Sequence, residues 1–176
     1  SGNSFESEPT ESEFQAKAET VANGIRFLNA DVVLLQEFET IECVNATMAY
    51  LSDMEYDVSL ISETGGDASL DVAVFARGQL AGQRSHGDDT IPLPDRGTTT
   101  FSRDFLEVHL LIDGRRIIVF NGHFKAKTRD DPQRRLAEAM AARDIMEAVA
   151  ANYPDALVIL GGDLNDTPGS PPINAL

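Results

Sequence analysis

The polar residues best placed to do chemistry stand where apolar runs stop. Asp31-Val32-Val33-Leu34-Leu35-Gln36 runs into Glu37, and Ile117-Ile118-Val119-Phe120 runs into Asn121-Gly122-His123. Ala156 to Leu160 runs into Gly161-Gly162-Asp163-Leu164-Asn165-Asp166. A strand end is where a rigid scaffold presents a side chain to solvent. Glu37 reads first as a surface carboxylate and, more sharply, as an oxygen ligand for a hard cation. His123 reads as a structural histidine or as an acid/base. Lys125, Lys127, Arg129, Arg134 and Arg135 follow it closely and raise the second reading, because they reverse the local sign of an acidic chain. A solvated basic loop and helix start is the alternative for that segment. Asp163 and Asn165 alternate, so both can face one side of a strand end, one bringing charge and the other an amide. The two glycines before them allow a tight turn and close approach of a ligand. As a calcium loop the segment fails, with Pro168 where glycine is needed and Asn174 where a bidentate glutamate is needed.

Composition narrows the classes. The 176 residues suit one globular domain, and 42% hydrophobic with 24% charged residues is a soluble, core-forming balance. Fourteen Lys+Arg against 29 Asp+Glu give a formal charge of −15, which repels nucleic acid and anionic membrane at long range. A phosphate-bearing ligand therefore needs a local reversal of sign or a metal. The single cysteine, Cys43, excludes an intrachain disulfide and a cysteine-rich zinc site. His86, His109 and His123 share no zinc spacing, and no glycine-rich lysine loop for phosphates is present. Asn45-Ala46-Thr47 and Asn165-Asp166-Thr167 match glycosylation sequons, a pattern short enough to arise by chance. No apolar run reaches the ~20 residues of a membrane-spanning helix. The expectation is a soluble protein of unassigned compartment, compatible with a secreted or periplasmic form whose leader has been removed.

Several elements must position these residues. Ser1 to Glu13 reads as an acidic, flexible arm. Phe14, Ala18, Val21, Ile25 and Leu28 recur at helical spacing and predict a helix ended by Asn29. Asp31 to Glu37 predicts a strand buried on both faces. Val44, Met48 and Leu51 predict a shorter helix, and Tyr56 to Ser62 a strand. Gly65-Gly66-Asp67 predicts a hairpin turn into a strand over Leu70 to Ala76. Ser85 to Thr99 reads as a surface loop. Phe101 to Ile112 alternates, with Leu106, Val108 and Leu110 on one face and Glu107 and His109 on the other. Asp113-Gly114 turns the chain into Ile117 to Phe120. Asp131-Pro132 reads as N-cap and first residue of a long helix bearing Ala139, Ala142, Met146 and Val149 on one stripe. Ala156 to Leu160 predicts another buried strand. Strand pairs outnumber crossover helices, which favours a layered sandwich.

Taken in order, four segments resemble the endonuclease/exonuclease/phosphatase superfamily. They are Ala30-Asp31-Val32-Val33-Leu34-Leu35-Gln36-Glu37, Phe101-Ser102-Arg103-Asp104, Asn121-Gly122-His123-Phe124-Lys125 and Gly162-Asp163-Leu164-Asn165-Asp166-Thr167-Pro168. The resemblance runs from about Phe14 to the C-terminus. It implies an α/β, four-layer αββα sandwich of two mainly antiparallel sheets, and metal-dependent hydrolysis of a phosphodiester or phosphomonoester. By the matching positions Glu37 would ligate Mg²⁺ (or Mn²⁺/Ca²⁺), and Asp163 would orient or deprotonate the attacking water. Asn165 would donate to the phosphoryl oxygens and His123 would hydrogen-bond the scissile phosphate. Arg103, Asn121 and Lys125 would bind substrate, and Asp71 would orient His123. The substrate would be a nucleic acid, a phospholipid headgroup or a small phosphoester. The family's opening strand and its closing Asp-His segment have no counterpart here, so residues 14–176 are expected to be an incomplete domain with little turnover of its own. A non-catalytic phosphate-binding module on the same fold is the alternative.

Overall fold

The computed structural model describes residues 9–62, 70–95 and 97–176. Helix α1 (Glu11–Leu28) starts three residues earlier than the apolar spacing predicts. A reciprocal capping box explains the difference: the Thr10 side chain accepts from the Glu13 amide while the Glu13 carboxylate accepts from the Thr10 amide. Part of the presumed acidic arm is thus a helix start. The buried stripe of α1 is Ala18, Ala22 and Ile25, and Leu28 is 64% exposed. Asn29 adopts the left-handed conformation that closes the helix. Strand β1 (Val32–Phe38), helix α2 (Ile41–Ala49), strand β2 (Val58–Ser62) and strand β3 (Asp71–Ala76) follow. The expected turn at Gly65-Gly66-Asp67 lies outside the described residues.

The first sheet has the order β1-β3-β2, all antiparallel. The next elements are β4 (Gln79–Ser85), β5 (Ile91–Pro92), β6 (Thr98–Thr99), β7 (Phe105–Ile112) and β8 (Arg115–His123). Helix α3 (Pro132–Asn152), strand β9 (Leu157–Asp163) and the short α4 (Pro171–Ala175) complete the chain. The second sheet has the order β4-β7-β8-β9, with β9 parallel to β8 because α3 returns the chain to the same end. β5 and β6 form a two-stranded ribbon inside the segment predicted to be loop.

Three cores give the layers. α1, α2 and the turn after α2 pack Ala22, Ile25, Val44 and Leu51 on Val33, Ala73 and Phe75. The two sheets meet through Val72, Val74 and Ala76 against Leu106, Val108 and Leu110. α3 lays Ala137, Ala139 and Ala142 on Ile118, Phe120 and Phe105. This is the αββα sandwich implied by the resemblance. Among the described strands only β3 is buried along its whole length. β1 has apolar contacts on both faces but is an edge strand and half-buried, and β9 is an edge whose Leu157 is 58% exposed. Neither is the fully buried strand that its apolar run suggests. β7 alternates as expected, with Leu106, Val108 and Leu110 in the core between the sheets, but Glu107 and His109 on its other face are also buried. They belong to a polar chain running from Asp89 through His86, Glu107 and His109 to Arg116.

Candidate active site

β1, β8 and β9 end at the same end of the sandwich, where β3 begins. The parallel register pairs Gly122 with Gly162 and His123 with Asp163, so the last residues of two predicted motifs are lateral neighbours. Glycine is required for this. A Cβ on Gly162 would lie 2.0 Å from the Gly122 carbonyl oxygen, and its φ of +126° is unfavourable to any other residue. Glu37 sits in a β-bulge: the pairing with β3 shifts between Gln36 and Phe38, and Glu37 takes a φ of +63°. The bulge re-aims one side chain, leaving the carboxylate exposed between half-buried Gln36 and buried Phe38. Asp71 is fully buried at the start of β3, opposite Phe38.

His123 is 3% exposed, and its Nδ1 has no hydrogen-bond partner among the described residues. Burial pushes its pKa below the ordinary histidine value, and the Arg103 guanidinium adds to that effect. The Asp163 and Glu37 carboxylates oppose it, as does the backbone of Leu70, next to Asp71. His123 is therefore within electrostatic reach of three of the other predicted site residues. Arg103 and Asn165 converge on one acceptor, the Phe124 carbonyl, at 3.4 Å from Arg103 Nη1 and 3.0 Å from Asn165 Nδ2. Asn165 has a φ of +51°, and its amide N–H donates to the exposed Asp163 carboxylate at 2.8 Å. The loop after β9 thereby folds back toward His123.

Two predicted substrate contacts make hydrogen bonds within the chain. Asn121 is fully buried and joins the sheets: its Nδ2 donates to Leu35 O and Ala73 O, and its Oδ1 accepts from Gln36 Nε2 at 2.7 Å. A buried amide with its hydrogen bonds made in this way fixes one sheet over the other directly beneath the site. The Lys125 ammonium folds onto its own loop and donates to Ala126 O and Thr128 O. Nor is the basic segment a free positive patch. Arg135 is buried and paired with Asp130 and Asp166, Lys127 is paired with Asp166, and Arg134 lies 3.5 Å from Glu138. The Arg135 hydrogen bond, helped by Thr167 N–H and Lys127, holds the Asp166 carboxyl well below the usual range.

Sequence reasoning missed Glu138. It is fully buried, yet accepts from Ser102 N at 2.8 Å and from Lys125 N at 2.6 Å. Among the described residues no three His, Cys, Asp or Glu side chains gather as a closed metal cage.

A family model described as Endonuclease/Exonuclease/phosphatase matches residues 3–176. The chain belongs to this family. The match takes in most of the acidic N-terminal segment as well as the sandwich. No curated protein matches significantly. Among solved structures, the chain is similar to truncated Caenorhabditis elegans TDP2, with 22% identity, a TM-score of 0.61, and coverage of 90% of this chain and 58% of that one. It is also similar to sphingomyelinase C from Streptomyces griseocarneus, at 19% identity and TM-score 0.66, covering 92% and 61%. A hairpin-deletion mutant of Staphylococcus aureus beta toxin gives 17%, 0.67, 92% and 63%. These likenesses establish the fold, and the chain spans less than two thirds of each of these proteins. Among the described residues no helix is long and apolar enough to cross a membrane.

Proposed function

We propose that this chain carries the phosphate-handling centre of a metal-dependent phosphoester hydrolase. The observation that carries the reading is convergence. The register sets His123 beside Asp163, while Arg103 and Asn165 meet on the carbonyl of the very next residue. Burial keeps His123 neutral near pH 7, so one ring nitrogen donates and the other can accept. An arriving phosphoryl oxygen would compete with the Phe124 carbonyl for the Arg103 and Asn165 N–H groups, and the anion would make the stronger, charge-assisted bonds. Asp163 would orient the attacking water or take its proton. Asp71, beneath the bulge, would orient His123. Glu37 would hold Mg²⁺, or Mn²⁺ or Ca²⁺, which when bound offsets phosphoryl charge and makes water a better nucleophile. Asn121 and Lys125 would act by setting the geometry, not by touching substrate. The substrate class is a phosphorylated one: a nucleic acid, a phospholipid headgroup or a small phosphoester. The family description and the likeness to a sphingomyelinase support hydrolysis of a phosphoester bond.

The test is an NMR titration with inorganic phosphate, with and without Mg²⁺, followed by a screen of phosphodiesters and phosphomonoesters. Phosphate should shift His123, Asn165 and Arg103 together. Glu37→Gln should weaken Mg²⁺ binding in calorimetry about tenfold or more. Turnover should fall about 10²- to 10⁴-fold in His123→Ala and Asp163→Asn. Phosphate shifts confined to another face would overturn the site. Phosphate binding there with no ester turned over would favour the non-catalytic module instead.

A further inference from the structure

The Phe124–Lys125 peptide is held from both sides. Its N–H donates to Glu138 Oε2 at 2.6 Å, and its carbonyl accepts from Arg103 and Asn165. The N–H and C=O of a trans peptide point in opposite directions. Anchoring the N–H on a fully buried carboxylate therefore aims the carbonyl away from α3, toward the residues proposed to handle phosphate. The other oxygen of Glu138 accepts from Ser102 N, immediately before Arg103. One turn earlier on the same helix face, Arg135 donates to Lys125 O at 3.1 Å and to Asp166 Oδ2 at 2.8 Å. Asp166 follows Asn165, and it also accepts from Lys127 Nζ and Thr167 N. Two buried side chains thus tie together three loops: the one carrying Arg103, the one that follows His123 at the end of β8, and the one carrying Asn165.

We propose that Arg135 and Glu138 are positioning residues: a brace on the first turns of α3 that sets the three converging loops in register around the phosphate-handling site. The inference rests on the proposed function for its purpose, and on the bonds above for its geometry. Burying a carboxylate is costly unless it is paired and fully hydrogen-bonded, and an apolar side chain of similar volume is often no less stabilising at such a position. Burial pushes the Glu138 pKa up against the opposing effect of its amide donors. Stability alone is a weak reason for a carboxylate there. A demand for two acceptors facing two separate loops is a better one.

Glu138→Gln tests this, because it preserves shape but presents one acceptor and an NH₂ where two acceptors are needed. The Lys125 amide proton should move upfield as its short bond to a carboxylate is lost. The Arg103 Nε–H and Asn165 side-chain amide signals should shift or broaden, and the affinity for inorganic phosphate should fall about five- to tenfold. Arg135→Lys keeps a charge for Asp166 but cannot also reach Lys125 O, and should disturb the Asn165 signals more than those of Arg103. Met146→Ala, further along α3 in the same core, is the control. It should lower the melting temperature while leaving the Arg103 and Asn165 signals in place. If Met146→Ala moves those signals as far as Glu138→Gln does, or if neither brace variant moves them, the brace is only structural and the inference fails. Should Glu138→Gln not fold, the comparison of Arg135→Lys with Met146→Ala decides it. Failure of the parent to bind phosphate would count against the proposed function, whereas the loop signals judge the brace on their own.

Discussion

His123 sits among five influences whose signs differ, three of them charged side chains, so its titration is a direct readout of the site's geometry. Burial and Arg103 depress its pKa, while Asp163 and Glu37 raise it. Its imidazole signals in EDTA should therefore titrate below the ordinary value. Arg103→Met should raise the midpoint, and Glu37→Gln and Asp163→Asn should each lower it further. A midpoint unmoved by all three would mean that the groups do not share a site. The sign for stability follows from the same shift. The unfolded chain takes up a proton at this histidine before the folded one does, so the contribution is fully present above the unfolded pKa and is lost as pH falls through the folded one. His123→Gln should flatten the fall in urea-unfolding stability on acidification below about pH 6.5. Strand-end residues such as this one were legible in the sequence because a polar side chain closing an apolar run has few structural uses. The inter-sheet role of Asn121 was not legible: its motif neighbours point to substrate, and nothing local announces that its amide reaches across to another sheet.

At the scale of the element, β9 depends on a glycine. Gly162→Ala would push a methyl group to 2.0 Å from Gly122 O at a φ of +126°, so either the His123–Asp163 register or the end of the strand must give way. We expect a loss of roughly 3 kcal/mol or more, about 6–12 °C in melting temperature for a chain of this size. Amide exchange in β9 should accelerate. A melting point within a degree of the parent would show that the strand end relaxes freely. Elements whose signals are local were readable: the Asp131-Pro132 start of α3 is a chemical cap, and the structure finds the Asp131 side chain accepting from the Arg134 amide. β4 was not readable, since an exposed edge strand has no alternation to show. Arg135 and Glu138 were half-visible. Each stands four residues before Ala139 or Ala142, on the apolar stripe of α3, and a charge on such a stripe requires partners that only the tertiary fold reveals.

For the whole molecule, the strands that carry Glu37 and Asp163, β1 and β9, are both sheet edges, which leaves these two carboxylates at the margin of the sandwich. The layer order followed from the resemblance and the alternation of elements. The balance of charge around the site did not, because the sequence shows where cations are but not which anions neutralise them. Lys127, Arg134 and Arg135 are engaged with Asp166, Glu138 and Asp130, so the field outside the site follows the formal −15 of the chain. An anion must then diffuse toward this centre against the long-range potential and meets attraction only in the last few ångströms. Raising salt from about 10 to about 150 mM shortens the Debye length from ~30 to ~8 Å and removes most of that barrier, while close contacts are screened far less. The association rate of a phosphodiester, measured by stopped flow or as kcat/KM, should rise over that range. A basic nucleic-acid binder shows the reverse slope, and a rate that falls with salt here would mean that a positive funnel guides the anion in. Encounter at this site is governed by screening: the ions of the medium do the steering that the protein's own paired cations do not.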